Sequence, residues 1–64
     1  MEIKDKYYYI ARISKMRDRQ KNELYKNALF GLIMEFVYLE EELTEEKIKE
    51  LDEHLDKLQR ILEL

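Results

Sequence analysis

One stretch limits what this chain can fold into: Ala28-Leu29-Phe30-Gly31-Leu32-Ile33-Met34-Glu35-Phe36-Val37-Tyr38-Leu39, in which ten of twelve residues are apolar. Wound as a helix, it is apolar almost all round, and such a helix has to be buried on more than one side. The whole chain has 64 residues with which to bury it. A domain near that size covers only about 60% of the surface its unfolded chain exposes, so its core is marginal. Disulfides, a metal or oligomerisation are the usual supplements. Cysteine is absent, which removes the first and any thiolate metal site with it. A single histidine, His54, gives no basis for an imidazole cluster. Oligomerisation remains, and the central run reads as a demand for a second chain.

With no proline, one glycine (Gly31) and 42% charged residues, the chain is expected to be all-helical. Lys, Glu and Leu, all good helix formers, dominate its second half. Met1-Glu2-Ile3-Lys4-Asp5 has mixed charge and no apolar h-region, so no secretory leader is expected. The twelve-residue run is too short to span a bilayer as a helix and contains Glu35. The lack of cysteine suits a reducing compartment. A soluble, cytoplasmic protein is expected. Net charge is −3, but it is unevenly spread. Residues 1–32 hold eight bases against four acids, and residues 33–64 hold four bases against eleven acids. Such asymmetry points to a polyanionic partner or to attraction between the two halves.

Three helices are expected, over about residues 3–17, 23–42 and 45–62. The first places Ile3, Tyr7, Ile10 and Ser14 on one stripe, flanked by Tyr9, Ile13 and Met16. The polar run Arg17-Asp18-Arg19-Gln20-Lys21-Asn22 favours a break, with Asn22 as N-cap of the second helix. That helix has a main face of Leu24, Tyr25, Ala28, Leu29, Leu32, Ile33, Phe36, Leu39 and Leu43. A second arc, Phe30, Met34, Val37 and Tyr38, lies opposite and is the expected self-association seam or partner anchor. Gly31, beside Tyr38 and Glu35 on the wheel, would let another helix approach closely, or is simply a tolerated helix glycine costing about 1 kcal/mol relative to Ala. Thr44 before Glu45 and Glu46 reads as the N-cap of a third helix, with acids where the helix dipole favours them. Ile48, Leu51, Leu55, Leu58 and Leu62, spaced 3, 4, 3 and 4, form a short heptad seam. It is expected to pack on the second helix as an antiparallel hairpin, the whole pairing into a dimeric helical bundle.

Several features bear on function. Lys4, Tyr8, Arg12, Lys15 and Arg19 fall on one line of the first helix, opposite its apolar stripe, at spacings of 4, 4, 3 and 4. A row of cations about 22 Å long could follow a phosphate backbone, with Tyr8 stacking or hydrogen bonding. The pI near 5.2 argues against a nucleic-acid binder, and an ordinary solvated face or pairing with the acidic third helix of a neighbouring subunit accounts for the same row. Of the consecutive tyrosines 7–9, Tyr7 and Tyr9 border the apolar stripe, which leaves Tyr8 for partner contact. Glu35 interrupts the apolar run and reads as a rim residue pairing with a base of the first helix, or as a polar specificity element at a subunit seam. His54 lies beside the third-helix seam, one turn after Glu50. The only serine, Ser14, has no motif around it, and no triad, phosphate-binding loop or metal-ligand spacing occurs.

Residues 43–58 resemble the second helix of small sporulation-type aspartyl-phosphate phosphatases, helical hairpins with a serine three residues before a Leu-Asp pair. Leu55-Asp56 matches the pair, and Asp52 stands where the serine would be. The resemblance implies a phosphorylated response regulator as partner and a role for Asp56 in its dephosphorylation. The reading favoured here is a non-enzymatic protein–protein interaction module: a regulator, inhibitor or adaptor that needs no cofactor or metal and forms a homodimer. Nucleic-acid binding through the first helix is the alternative, and a phosphatase-like regulator the second.

Overall fold

The computed structural model describes residues 4–62, and no strand occurs among them. Three helices do: α1 (Lys6–Arg19), α2 (Glu23–Val37) and α3 (Glu45–Leu62). The expected all-α class holds.

Each helix starts on a side chain that satisfies an orphan amide. Asp5, in extended backbone, accepts a hydrogen bond from the Tyr8 amide at 3.0 Å and sets the start of α1. The expected start, Ile3, lies outside the described residues. The chain does break between α1 and α2, with neither glycine nor proline at the turn. Gln20 leaves the helix at ψ 131°, and its Oε1 accepts from the amides of Lys21 and Asn22, both at 3.0 Å. Asn22 Oδ1 then accepts from Leu24 at 2.9 Å and Tyr25 at 3.4 Å, capping α2 as expected. Thr44 Oγ1 accepts from the Lys47 amide at 3.2 Å and opens α3.

The second helix ends at Val37 rather than near Glu42. Its closing turn tightens, with the Leu39 amide donating to the Phe36 carbonyl at 3.2 Å. Glu40, Glu41 and Glu42 would have carried three negative charges into the end where unpaired carbonyls already point outward, which the helix dipole disfavours. The chain turns away there, and Leu39 and Leu43 fold back, half-buried, against the core.

The order is up, down, up. Lys6 at the start of α1 donates through Nζ to the Leu39 carbonyl just past α2, so these two helices run antiparallel. Lys4 meets Asp52 while Arg12 meets Asp56, so α3 runs parallel to α1 and antiparallel to α2. The core is Tyr9, Ile13 and Met16 from α1, Leu29, Ile33 and Phe36 from α2, and Leu55 from α3. Tyr9 and Phe36 stack with centroids 5.6 Å apart, and Tyr8 meets the edge of Tyr9 at 4.9 Å. The leucine seam of α3 faces this core as expected. The closest backbone approach, however, is between α1 and α2, not α2 and α3. Long polar side chains line the border of α3 with α1, and helix separation follows the side chains at the contact.

Both α1 and α2 are turned relative to the expected faces. Tyr7 is 67% exposed, whereas Tyr8 packs against the core beside the buried Tyr9. The true stripe of α1 is Tyr9, Ile13 and Met16, first read as a flank. On α2 the core takes Leu29, Ile33 and Phe36, while Leu24, Tyr25 and Ala28, assigned to the main face, lie in water. The first turns of α2 extend past the apolar part of α1, which ends at Met16, so the described residues leave Leu24, Tyr25 and Ala28 exposed.

Candidate interaction surface

The row Lys4, Tyr8, Arg12, Lys15, Arg19 is divided by the fold. Lys4 Nζ binds Asp52 Oδ2 at 2.8 Å. Arg12 reaches Asp52 Oδ1 at 3.6 Å and Asp56 Oδ1 at 2.6 Å, and donates to Gln59 Oε1. Tyr8 lies half-buried under the Lys4 ammonium, 5.8 Å from its ring centroid. Lys15 and Arg19 alone of the five face open water. The acidic helix that meets this row belongs to the same chain. Asp52, Asp56 and Gln59 flank the leucine seam at spacings of 4 and 3, a sequence signal for a polar border that was not read. Asp56, of the pair that carries the phosphatase resemblance, and Asp52, which stands where the serine would be, both pair with bases at the α1 side.

At the centre of this border, the Tyr9 hydroxyl donates to Asp52 Oδ1 at 3.0 Å and lies 3.4 Å from the Ile48 carbonyl. Burial, and then the hydrogen bond to the Asp52 carboxylate, push the Tyr9 phenol well above its ordinary value of 10.0. The hydrogen bond from Lys4 holds Asp52 below its ordinary 3.8; burial opposes this, and Tyr9 and Arg12 add to it. Among the described residues, no buried side-chain nitrogen or oxygen lacks a partner. The α1–α3 side is chemically saturated.

The outer side of α2 is the opposite. Leu24 is 77% exposed and Tyr38 74%, with Ala28, Gly31 and Glu35 exposed between them. Of the expected arc, Phe30 is 47% and Val37 43% exposed, and Met34 is partly covered. Arg17 lies over the Phe30 ring with Cζ 5.3 Å from its centroid, so α1 shields that edge. A Cβ added at Gly31 would meet nothing within 4 Å, so no helix of this chain uses the glycine for close approach. The expected pairing of Glu35 with a base of α1 does not occur; Glu35 instead borders a cleft with Phe36, Leu39, Leu43, Lys47 and Leu51. His54 is exposed on α3, and Ser14 is half-buried in α1. Among the described residues no group of His, Cys, Asp and Glu is placed to hold a metal ion. Nor is any helix there long and apolar enough to cross a membrane. Large apolar groups left in water at helical spacing, next to a polar border already satisfied, make the outer side of α2 the candidate docking face. No family model, curated protein or solved structure matches this chain.

Proposed function

We propose that this protein is a non-enzymatic protein–protein interaction module of the cytoplasm, a small regulator, inhibitor or adaptor that docks through the outer face of α2 and associates with itself as a homodimer. One observation carries the reading: in the lone chain Leu24 and Tyr38 remain in water at the two ends of an exposed helix face, with Ala28, Gly31 and Glu35 between them. Leaving such groups hydrated forgoes about 25 cal/mol for each Å² of apolar surface that a partner would cover. Aromatic and aliphatic anchors of this kind carry most of the binding energy of helix-in-groove contacts. The basic row gives less support to a nucleic-acid role, because Lys4 and Arg12 already have carboxylate partners.

The test uses the intact chain and the double variant Leu24→Glu/Tyr38→Glu as bait in the native host, with the captured proteins identified by mass spectrometry. A specific partner held by the wild type and lost by the double variant, with the melting temperature unchanged, is the expected result. An identical captured set from both baits would overturn the reading. In parallel, titration of labelled DNA and RNA at two salt concentrations is expected to show no binding. Micromolar affinity that falls steeply with salt would replace the proposal with the nucleic-acid alternative.

A further inference from the structure

We infer that the outer face of α2 is covered by α2 of a second copy, laid antiparallel with Gly31 at the crossing. This rests on the reading of that face as a docking surface. Leu24, Ala28, Gly31, Glu35 and Tyr38 follow one another at 4, 3, 4 and 3 residues, all exposed, so they form one straight seam along the helix. The glycine is at its middle, seven residues from either end. The space above Gly31 is empty, and a residue without Cβ lets a second backbone come close.

Pairing two such helices antiparallel about residue 31 sets each position against its mirror image. Leu24 then faces the second copy's Tyr38, and Ala28 faces the second copy's Met34, a small residue against a long one. Asn27 faces the second copy's Glu35, where an amide donor meets a carboxylate with no ion pair among the described residues. The parallel arrangement would place Glu35 against Glu35, like charge against like.

The ends of the molecule select the same orientation. The last turn of α1 and the link into α2 carry Arg17, Arg19 and Lys21, and the segment that follows α2 carries Glu40, Glu41 and Glu42, all exposed. Antiparallel pairing brings each basic end onto the other copy's acidic end, twice over by the two-fold axis. A standard interface buries about 800 Å² per partner, roughly 15% of the 5391 Å² surface of this chain.

The absence of cysteine makes the seam directly readable. Gly31→Cys is expected to form a disulfide-linked dimer rapidly under mild oxidation, because the two sulfurs meet on the axis. Leu24→Cys and Tyr38→Cys are each expected to stay unlinked alone and to link on mixing. Self-linking of Leu24→Cys and Tyr38→Cys at the rate of the mixture would show a parallel seam and overturn the inference. Gly31→Leu provides a second readout: its melting temperature in dilute solution holds or rises, since leucine is the better helix former, while the dimer dissociation constant from sedimentation rises at least tenfold. A Gly31→Leu dimer as tight as the wild type overturns the inference. So does a wild-type chain that sediments as a monomer at millimolar concentration; the docking role then stands or falls on the capture experiment alone.

Discussion

The two long sides of this molecule handle their surplus groups in opposite ways. Between α1 and α3, a row of bases meets a row of acids, and Tyr9, Asp52 and Arg12 close a polar network over the core. On the outer side of α2, apolar groups stand in water with nothing across from them. Part of the charge asymmetry along the chain, Lys4 and Arg12 against Asp52 and Asp56, is thus consumed at the α1–α3 border. The demand left open is for apolar cover. A surface can look poised for a polyanion in sequence and be internally neutralised in three dimensions, while the real vacancy is greasy.

Disabling the polar side has the largest expected effect. Asp52→Ala leaves Tyr9, fully buried, with only a long contact to the Ile48 carbonyl, and takes one partner from Lys4 and Arg12. A loss of about 2–4 kcal/mol is expected in urea unfolding, against a total of about 3–10 kcal/mol for a chain of this size. A loss under 0.5 kcal/mol would mean the border is ornamental.

Next comes pH. Folding favours the protonated Tyr9 phenol, so its contribution is full below pH 10 and is lost as pH rises from there through the higher folded value. Asp52 acts in the opposite sense: its contribution is present above its ordinary 3.8 and is lost as pH falls through the lower folded value. Tyr9→Phe is expected to cost about 1–2 kcal/mol at neutral pH and to flatten the alkaline limb of stability above pH 10. An alkaline limb unchanged in the variant would assign it to other groups.

Gly31→Ala sharpens the view of the other side. Within the single chain the added methyl meets nothing and the helix gains propensity, so thermal melting in dilute solution is expected to show stabilisation of about 0.5–1 kcal/mol. The smallest change in fold stability belongs to Leu24→Glu, within about 0.5 kcal/mol, since the side chain is exposed and an acid suits the first turn of a helix. A melting temperature lowered by many degrees would show that Leu24 serves the fold and not a partner.

Local signals in the sequence located what is local in the structure. Asn22 and Thr44 act as caps because an N-cap needs only its own amide neighbours. The α3 seam was legible because its leucines keep to one side of an otherwise charged helix. The rotation of α2 was not, since a helix apolar nearly all round carries no directional information. Which arc becomes core is decided by Ile13 and Met16 on the facing helix and by where they stop. Tyr7 and Tyr8 exchanged roles for a related reason: only once α3 lies beside α1 does the Tyr8 position become sheltered. The bonds of Arg12 to Asp56 and Gln59 join residues more than 40 positions apart, and no spacing rule along one helix reports such a pair.

The sealed Tyr9–Phe36 stack has a practical consequence. The chain contains no tryptophan, so its near-ultraviolet optical activity must come from phenol and phenyl rings. Tyr7, Tyr25 and Tyr38 sit at the surface, free of a fixed chiral cage. A circular dichroism band near the tyrosine absorption therefore tracks the closure of the three helices on Tyr9 and on Tyr8 packed against it. The molecule carries its own label for tertiary order, placed where engineering a dye would have damaged it.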